Sequence, residues 1–117
     1  MRAIELQDRT KVFAIRIVKP FRALPKTDEA RVIGKQVLRS GTSVAAKNYR
    51  AACRARSRAE FIAKIGVVVE EADETVFWLE LLVETDIVPP SRMNSLPDEA
   101  KELLAIFAAS QHTAKQK

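Results

Sequence analysis

From Ser57 to Thr85 the chain carries no proline, and apolar residues return at helical steps throughout. Phe61, Ile65, Val68, Ala72, Val76, Leu79 and Val83 fall on one stripe, the three-and-four spacing of an amphipathic helix. Ser57-Arg58-Ala59-Glu60 precedes it with the form of a capping box, in which Ser57 caps the first turn and Glu60 reaches back. Beyond Thr85-Asp86, the Pro89-Pro90 pair cannot extend the rod. With three glycines and five prolines, the chain has few sites for the frequent turns of a small sandwich or barrel. The pattern predicts an all-α fold.

The remaining segments supply partners for that rod. Leu6, Thr10, Phe13, Ile17 and Leu24 share a stripe from about Glu5, and Pro20 is expected to end or bend this first helix. Thr27 or Asp28 caps a second helix running to about Ala55, with the alternative of a break at Ser40-Gly41-Thr42-Ser43. Gly34, Gly41, Val37, Val44, Ala45 and Ala52 give it a small apolar face suited to close helix approach. Residues 86–95 form the longest loop. Ser95 and Pro97 then open a shorter last helix that buries Ala100, Leu103, Leu104 and Phe107. Residues 1–110 are thus expected to form one domain, an antiparallel up-down-up-down four-helix bundle, and 111–117 a disordered polar tail.

Chemistry has little to draw on. The single His112 lies in the polar tail, and the lone Cys53 can make no internal disulfide. No metal-ligand spacing is present, so no metal, cofactor or small-molecule substrate is expected. Ser40, Thr42 and Ser43 have no histidine to activate them, and helix hydrogen bonding is their expected use. Glu70, Glu71, Asp73 and Glu74 spread around their helix instead of converging on a cation. There is no signal-peptide pattern at the N-terminus and no membrane-length apolar run, so a cytoplasmic protein without membrane contact is expected.

Charge is distributed unevenly. Residues 1–64 hold 16 Lys/Arg against 5 Asp/Glu, a net +11, while residues 65–117 hold 4 against 10, a net −6. Separated fields of opposite sign attract polyanions and copies of the same protein. At 100° per residue Arg31, Lys35, Arg39, Lys47, Arg50, Arg54 and Arg58 fall within one half of the circumference of the second helix, a candidate phosphate-binding stripe for RNA or DNA. About five phosphate contacts on a duplex would cost several hundredfold in affinity between about 50 and 200 mM salt. Asn48 turns toward the small-residue face, where a buried amide would fix helix register.

The segment Val76-Phe77-Trp78-Leu79-Glu80-Leu81-Leu82-Val83 is apolar nearly all round, more than one small bundle can bury. Val67, Phe77, Trp78 and Leu81 are the candidate oligomer interface, with cover by the last helix or the 86–95 loop as the alternative.

These residues together resemble the four-helix-bundle family encoded in intervening sequences of bacterial 23S ribosomal RNA genes, related to accessory proteins of diversity-generating retroelements. The resemblance runs from about Leu6 to Leu82. It is carried by Leu6, Arg9-Thr10 and Phe13-Ala14; by Gln36, Leu38-Arg39-Ser40-Gly41-Thr42-Ser43-Val44 and Asn48-Tyr49-Arg50; and by Ser57, Phe61-Ile62, Lys64, Glu71-Ala72, Glu74-Thr75 and Trp78-Leu79. It implies an antiparallel bundle, commonly a homopentamer around a central channel, with basic surface suited to nucleic acid and no catalytic residues. A reverse transcriptase or a ribosomal component is then the candidate protein partner. Ala51 stands where the family often has Glu, and Glu60 where it usually has Asp. The expected function is that of an oligomeric nucleic-acid-binding accessory protein. The rival reading is a scaffold module whose basic half docks an acidic partner.

Overall fold

Two side-chain caps set where the central helices begin. The Thr27 hydroxyl accepts the Ala30 N–H at 3.3 Å, and the Ser57 hydroxyl accepts the Glu60 N–H at 3.1 Å. Each supplies a partner to one of the donors that a helix start leaves unpaired. The computed structural model describes residues 2–44 and 49–117. Within them run α1 (Ala3–Arg22), α2 (Asp28–Ser43), the short α3 (Arg50–Cys53), α4 (Arg58–Glu84) and α5 (Leu96–Gln116), with a single 3-10 turn at Pro90–Arg92. The described residues contain no strand.

The four long helices form an antiparallel ring. Gly41 of α2 lies against Ile17, and Gly34 against Phe21 and Leu24. Arg39 reaches Glu71 and Glu74 across the α2–α4 seam. Lys101 reaches Glu80 between α4 and α5, and Arg9 reaches Glu99 between α1 and α5. In the α1–α2 and α1–α5 seams, residue numbers rise on one helix as they fall on the other, the mark of antiparallel neighbours. Since α1 and α4 each pack on both α2 and α5, they stand on a diagonal. The body is 46 Å long and about half that across, as expected for a 27-residue α4 rising roughly 1.5 Å per residue.

Phe13 and Ile17 from α1, Val37 and Val44 at α2, Ile65, Val68 and Leu79 from α4, and Leu103 and Phe107 from α5 form the core. Sequence periodicity foretells most of this set. Leu82 and Thr75 are also buried, because α4 is covered over a wider arc than one stripe.

The end of α1 near Pro20, before Leu24, is as expected. α1 continues two residues past Pro20, to Arg22; a proline in the last turn leaves only the Arg16 carbonyl without its usual donor. Leu24 therefore lies beyond the helix, yet it still packs, folding over Gly34. Ser40 through Ser43 are helical, so α2 does not break there. Whether it continues to α3 depends on residues 45–48, which lie outside the described residues. Ser95 occupies the predicted start of α5 but does not cap it: with φ 61° it turns its hydroxyl to the Asn94 carbonyl at 2.5 Å.

The 86–95 loop is packed against the bundle. Val88 and Met93 are buried, and the Leu82 carbonyl accepts the N–H groups of Ile87 and Val88, both at 3.1 Å. The expected disordered tail is helical to Gln116. Arg58 donates to the Ala114 carbonyl at 2.8 Å and the Lys115 carbonyl at 3.2 Å, acceptors that a helix end leaves open to a cation.

Candidate nucleic-acid interface

The seven basic residues of the stripe do not share one fate. Arg39 donates to both Glu71 oxygens, at 3.4 and 3.2 Å, to Glu74, and to Gln36 at 3.3 Å. Its guanidinium staples α2 to α4. Arg58 is engaged with the end of α5. Arg31 lies 3.5 Å from the exposed Asp28 carboxylate, a pair that water screens to little consequence. Lys35, Arg50 and Arg54 are exposed and make no ion pair among the described residues. Lys47 and Asn48 lie outside those residues. Three open cations therefore remain in the described part of the stripe, with Arg56 exposed nearby.

The acidic cluster divides in the same way. Glu71 and Glu74 turn toward Arg39, whereas Glu70 and Asp73 are exposed. Part of the charge split between the two halves of the chain is thus consumed within the fold.

The apolar face of α4 is half covered. Phe77 is 56% exposed and Val67 43%, while Trp78 and Leu81 are half-buried. The Trp78 indole donates to Glu74 at 3.2 Å and meets the Phe77 ring edge-on at a centroid distance of 4.9 Å. Neither α5 nor the 86–95 segment closes over Phe77. On the diagonal helix, Ile4, Val12 and Ile15 are also at least half exposed; at 100° per residue they share the outward side of α1. The sequence pattern hid this second patch, because Asp8, Lys11 and Lys19 are interleaved with it.

Residues 2–109 match the model of the 23S rRNA-intervening sequence protein family. The chain belongs to that family. Among solved structures it is similar to a Bacteroides thetaiotaomicron protein of unknown function from the S23 ribosomal protein family, with a TM-score of 0.84 and 36% identity over 96% of this chain and 99% of that one. None of the curated proteins matches the chain.

Arg9, Arg39, Ser40 and Thr75, all among the residues that carried the resemblance, prove to be fasteners. Arg9 donates to the two Glu99 oxygens at 2.8 and 2.6 Å and also lies 2.9 Å from Glu102. Those hydrogen bonds hold its charge more firmly than usual and raise its pKa. Thr75 lies 2.9 Å from the Ser40 hydroxyl and donates to the Glu71 carbonyl at 2.7 Å, so Ser40 serves packing between α2 and α4. Nothing near Arg9 in sequence announces a partner 90 residues away. Tyr49 is buried against Phe107 at 5.2 Å; burial, and then the Cys53 thiol, push its phenol pKa up. Glu60 leaves the capping box half made. Its carboxylate turns to Lys64 at 3.0 Å, which lowers its pKa. No described helix is long and apolar enough to cross a membrane.

Proposed function

We propose that this chain is a homo-oligomeric, cytoplasmic accessory module, a homopentamer as the family resemblance implies, that binds RNA or DNA without reading sequence. The observation that carries the nucleic-acid reading is the exposure of Lys35, Arg50 and Arg54 with no ion pair among the described residues. Such groups attract phosphates and carry no base information. Arg39 and Arg58 are removed from the contact set because their hydrogen bonds already hold the bundle together. A binding role in place of catalysis is supported by the exposed position of His112 and by Ser40 being buried against Thr75.

Assembly is supported by the two apolar patches on diagonal helices. An isologous dimer joins a patch to its own copy, whereas a ring joins one patch to a different one. The outward faces of α1 and α4 are unlike, as a ring requires.

Binding of random-sequence RNA and DNA across a salt series, with mass measured in parallel, tests both parts. Three phosphate contacts per protomer give a loss of about 40-fold between roughly 50 and 200 mM salt. Affinity that ignores salt removes the phosphate reading. Arg50→Glu with Arg54→Glu is expected to abolish binding and leave the oligomer intact. If assembly is lost instead, the basic face is a docking surface for protein, and the module is a scaffold.

A further inference from the structure

An open pocket of about 640 Å³ lies between the C-terminal end of α1 and the 86–95 segment. Its size falls in the range that small ligands occupy. Pro20, Met93 and Leu96 give it an apolar floor, and Arg16, Lys19 and Arg92 stand around it with no carboxylate in its lining. Asn94 and Ser95 are consecutive left-handed residues, φ 49° and 61°, and the Asn94 carbonyl accepts from the Arg16 guanidinium. That bond fixes the guanidinium without cancelling its charge. Lys19 and Arg92 are exposed and make no ion pair among the described residues.

The helix termini at the pocket do not alter its sign. The end of α1 contributes about −0.5 charge and the start of α5 about +0.5, so three full positive charges remain beside an apolar floor. A duplex spreads its phosphates over a convex surface, roughly one charge per 1.7 Å of axis, and does not enter such a hollow. A terminal phosphate monoester concentrates about −1.5 to −2 on three oxygens. An attached nucleoside offers a flat apolar face to Pro20 and Met93.

We infer that this pocket binds the terminal phosphate monoester of a nucleoside phosphate, presented at the end of a single strand or as a free nucleotide. The site extends the nucleic-acid reading to strand ends but stands on residues separate from α2 and α3. The full chain is titrated by fluorescence anisotropy with two tetranucleotides, each labelled at its 3′ end, one with a 5′-phosphate and one with a 5′-hydroxyl. The phosphorylated one is expected to bind at least about tenfold tighter, as three charge-assisted contacts imply. Lys19→Glu with Arg92→Glu erases that preference, and Arg50→Glu with Arg54→Glu leaves it in place. Where the double variant loses helicity, Lys19→Gln alone serves, with a smaller loss.

Competition by a free nucleoside 5′-monophosphate at the affinity of the strand assigns the pocket to nucleotides; competition only at far higher concentration assigns it to strand ends. Both outcomes keep the phosphate site. Equal binding of the two tetranucleotides, or a preference that survives the Lys19 and Arg92 substitutions, overturns it. The α2–α3 reading is judged separately, by random-sequence binding of the Arg50 and Arg54 variant.

Discussion

Ser40 and Thr75 meet where α2 crosses α4, both fully buried. One proton cannot serve two acceptors, so the Thr75 hydroxyl donates to the Glu71 carbonyl while Ser40 donates to Thr75. The two substitutions at this pair are therefore unequal. Thr75→Val leaves the Ser40 hydroxyl buried without an acceptor and is expected to cost about 1–3 kcal/mol, whereas Ser40→Ala leaves Thr75 satisfied and costs about 1; urea unfolding of both measures the difference. Tyr49 makes a pH prediction. Its folded pKa is raised, so its contribution is intact below the ordinary phenol value near 10 and is lost as pH rises through the folded value. The unfolding midpoint should begin to fall as pH rises above about 10, and Tyr49→Phe should flatten that part of the profile. Equal slopes for both proteins count against the assignment.

At the scale of elements, glycines decide how closely helices approach. A Cβ on Gly41 would lie 2.8 Å from Ile17 Cγ1 and 3.0 Å from its Cδ1. Ile17 is fully buried and has nowhere to move. The helix preference for Ala, about 1 kcal/mol, is then outweighed by overpacking of about 1–3, and Gly41→Ala is expected to destabilise. Gly34 differs in what it faces. Its nearest neighbour is the tip of half-buried Leu24, 2.4 Å from the built Cβ, and that flexible tip swings outward. Gly34→Ala is expected to be neutral or stabilising by up to about 1 kcal/mol, so thermal unfolding of the two variants should move in opposite directions. The small-residue face was visible in the sequence. Which glycine bears a rigid neighbour was not, because Ile17 and Leu24 reach their contacts only once α1 lies against α2.

For the whole molecule, the two outward apolar faces make a statement about symmetry. Ile15→Glu on α1 and Phe77→Glu on α4 each place a charge in one half of the proposed interface between copies, and each alone should yield monomers by light scattering. Mixed together they retain one intact pairing, the α4 face of the Ile15 variant against the α1 face of the Phe77 variant, and a dimer peak should appear. An isologous contact yields no such rescue. The same scale explains the charge split along the chain. Arg9, Arg39 and Arg58 lie in the basic half, and each fastens onto the acidic half of its own chain. Exposed Lys35, Arg50 and Arg54 make no such contact among the described residues.

Periodicity, caps and punctuation sufficed for the fold class, the four long helices and most of the core, since these depend on which residues recur every three or four positions and on which N–H groups a hydroxyl can reach locally. The Ser57 and Thr27 caps and the α4 stripe are of this kind. Tertiary structure alone decided which cations are open and which are fasteners, because a guanidinium is neutralised by a carboxylate 32 or 90 residues away that no local window contains. It likewise decided that 111–116 continues α5, where Arg58 holds the helix end, and that the 86–95 segment packs down to wall a basic pocket. Those are consequences of proximity between distant segments, and proximity is what a linear pattern does not encode.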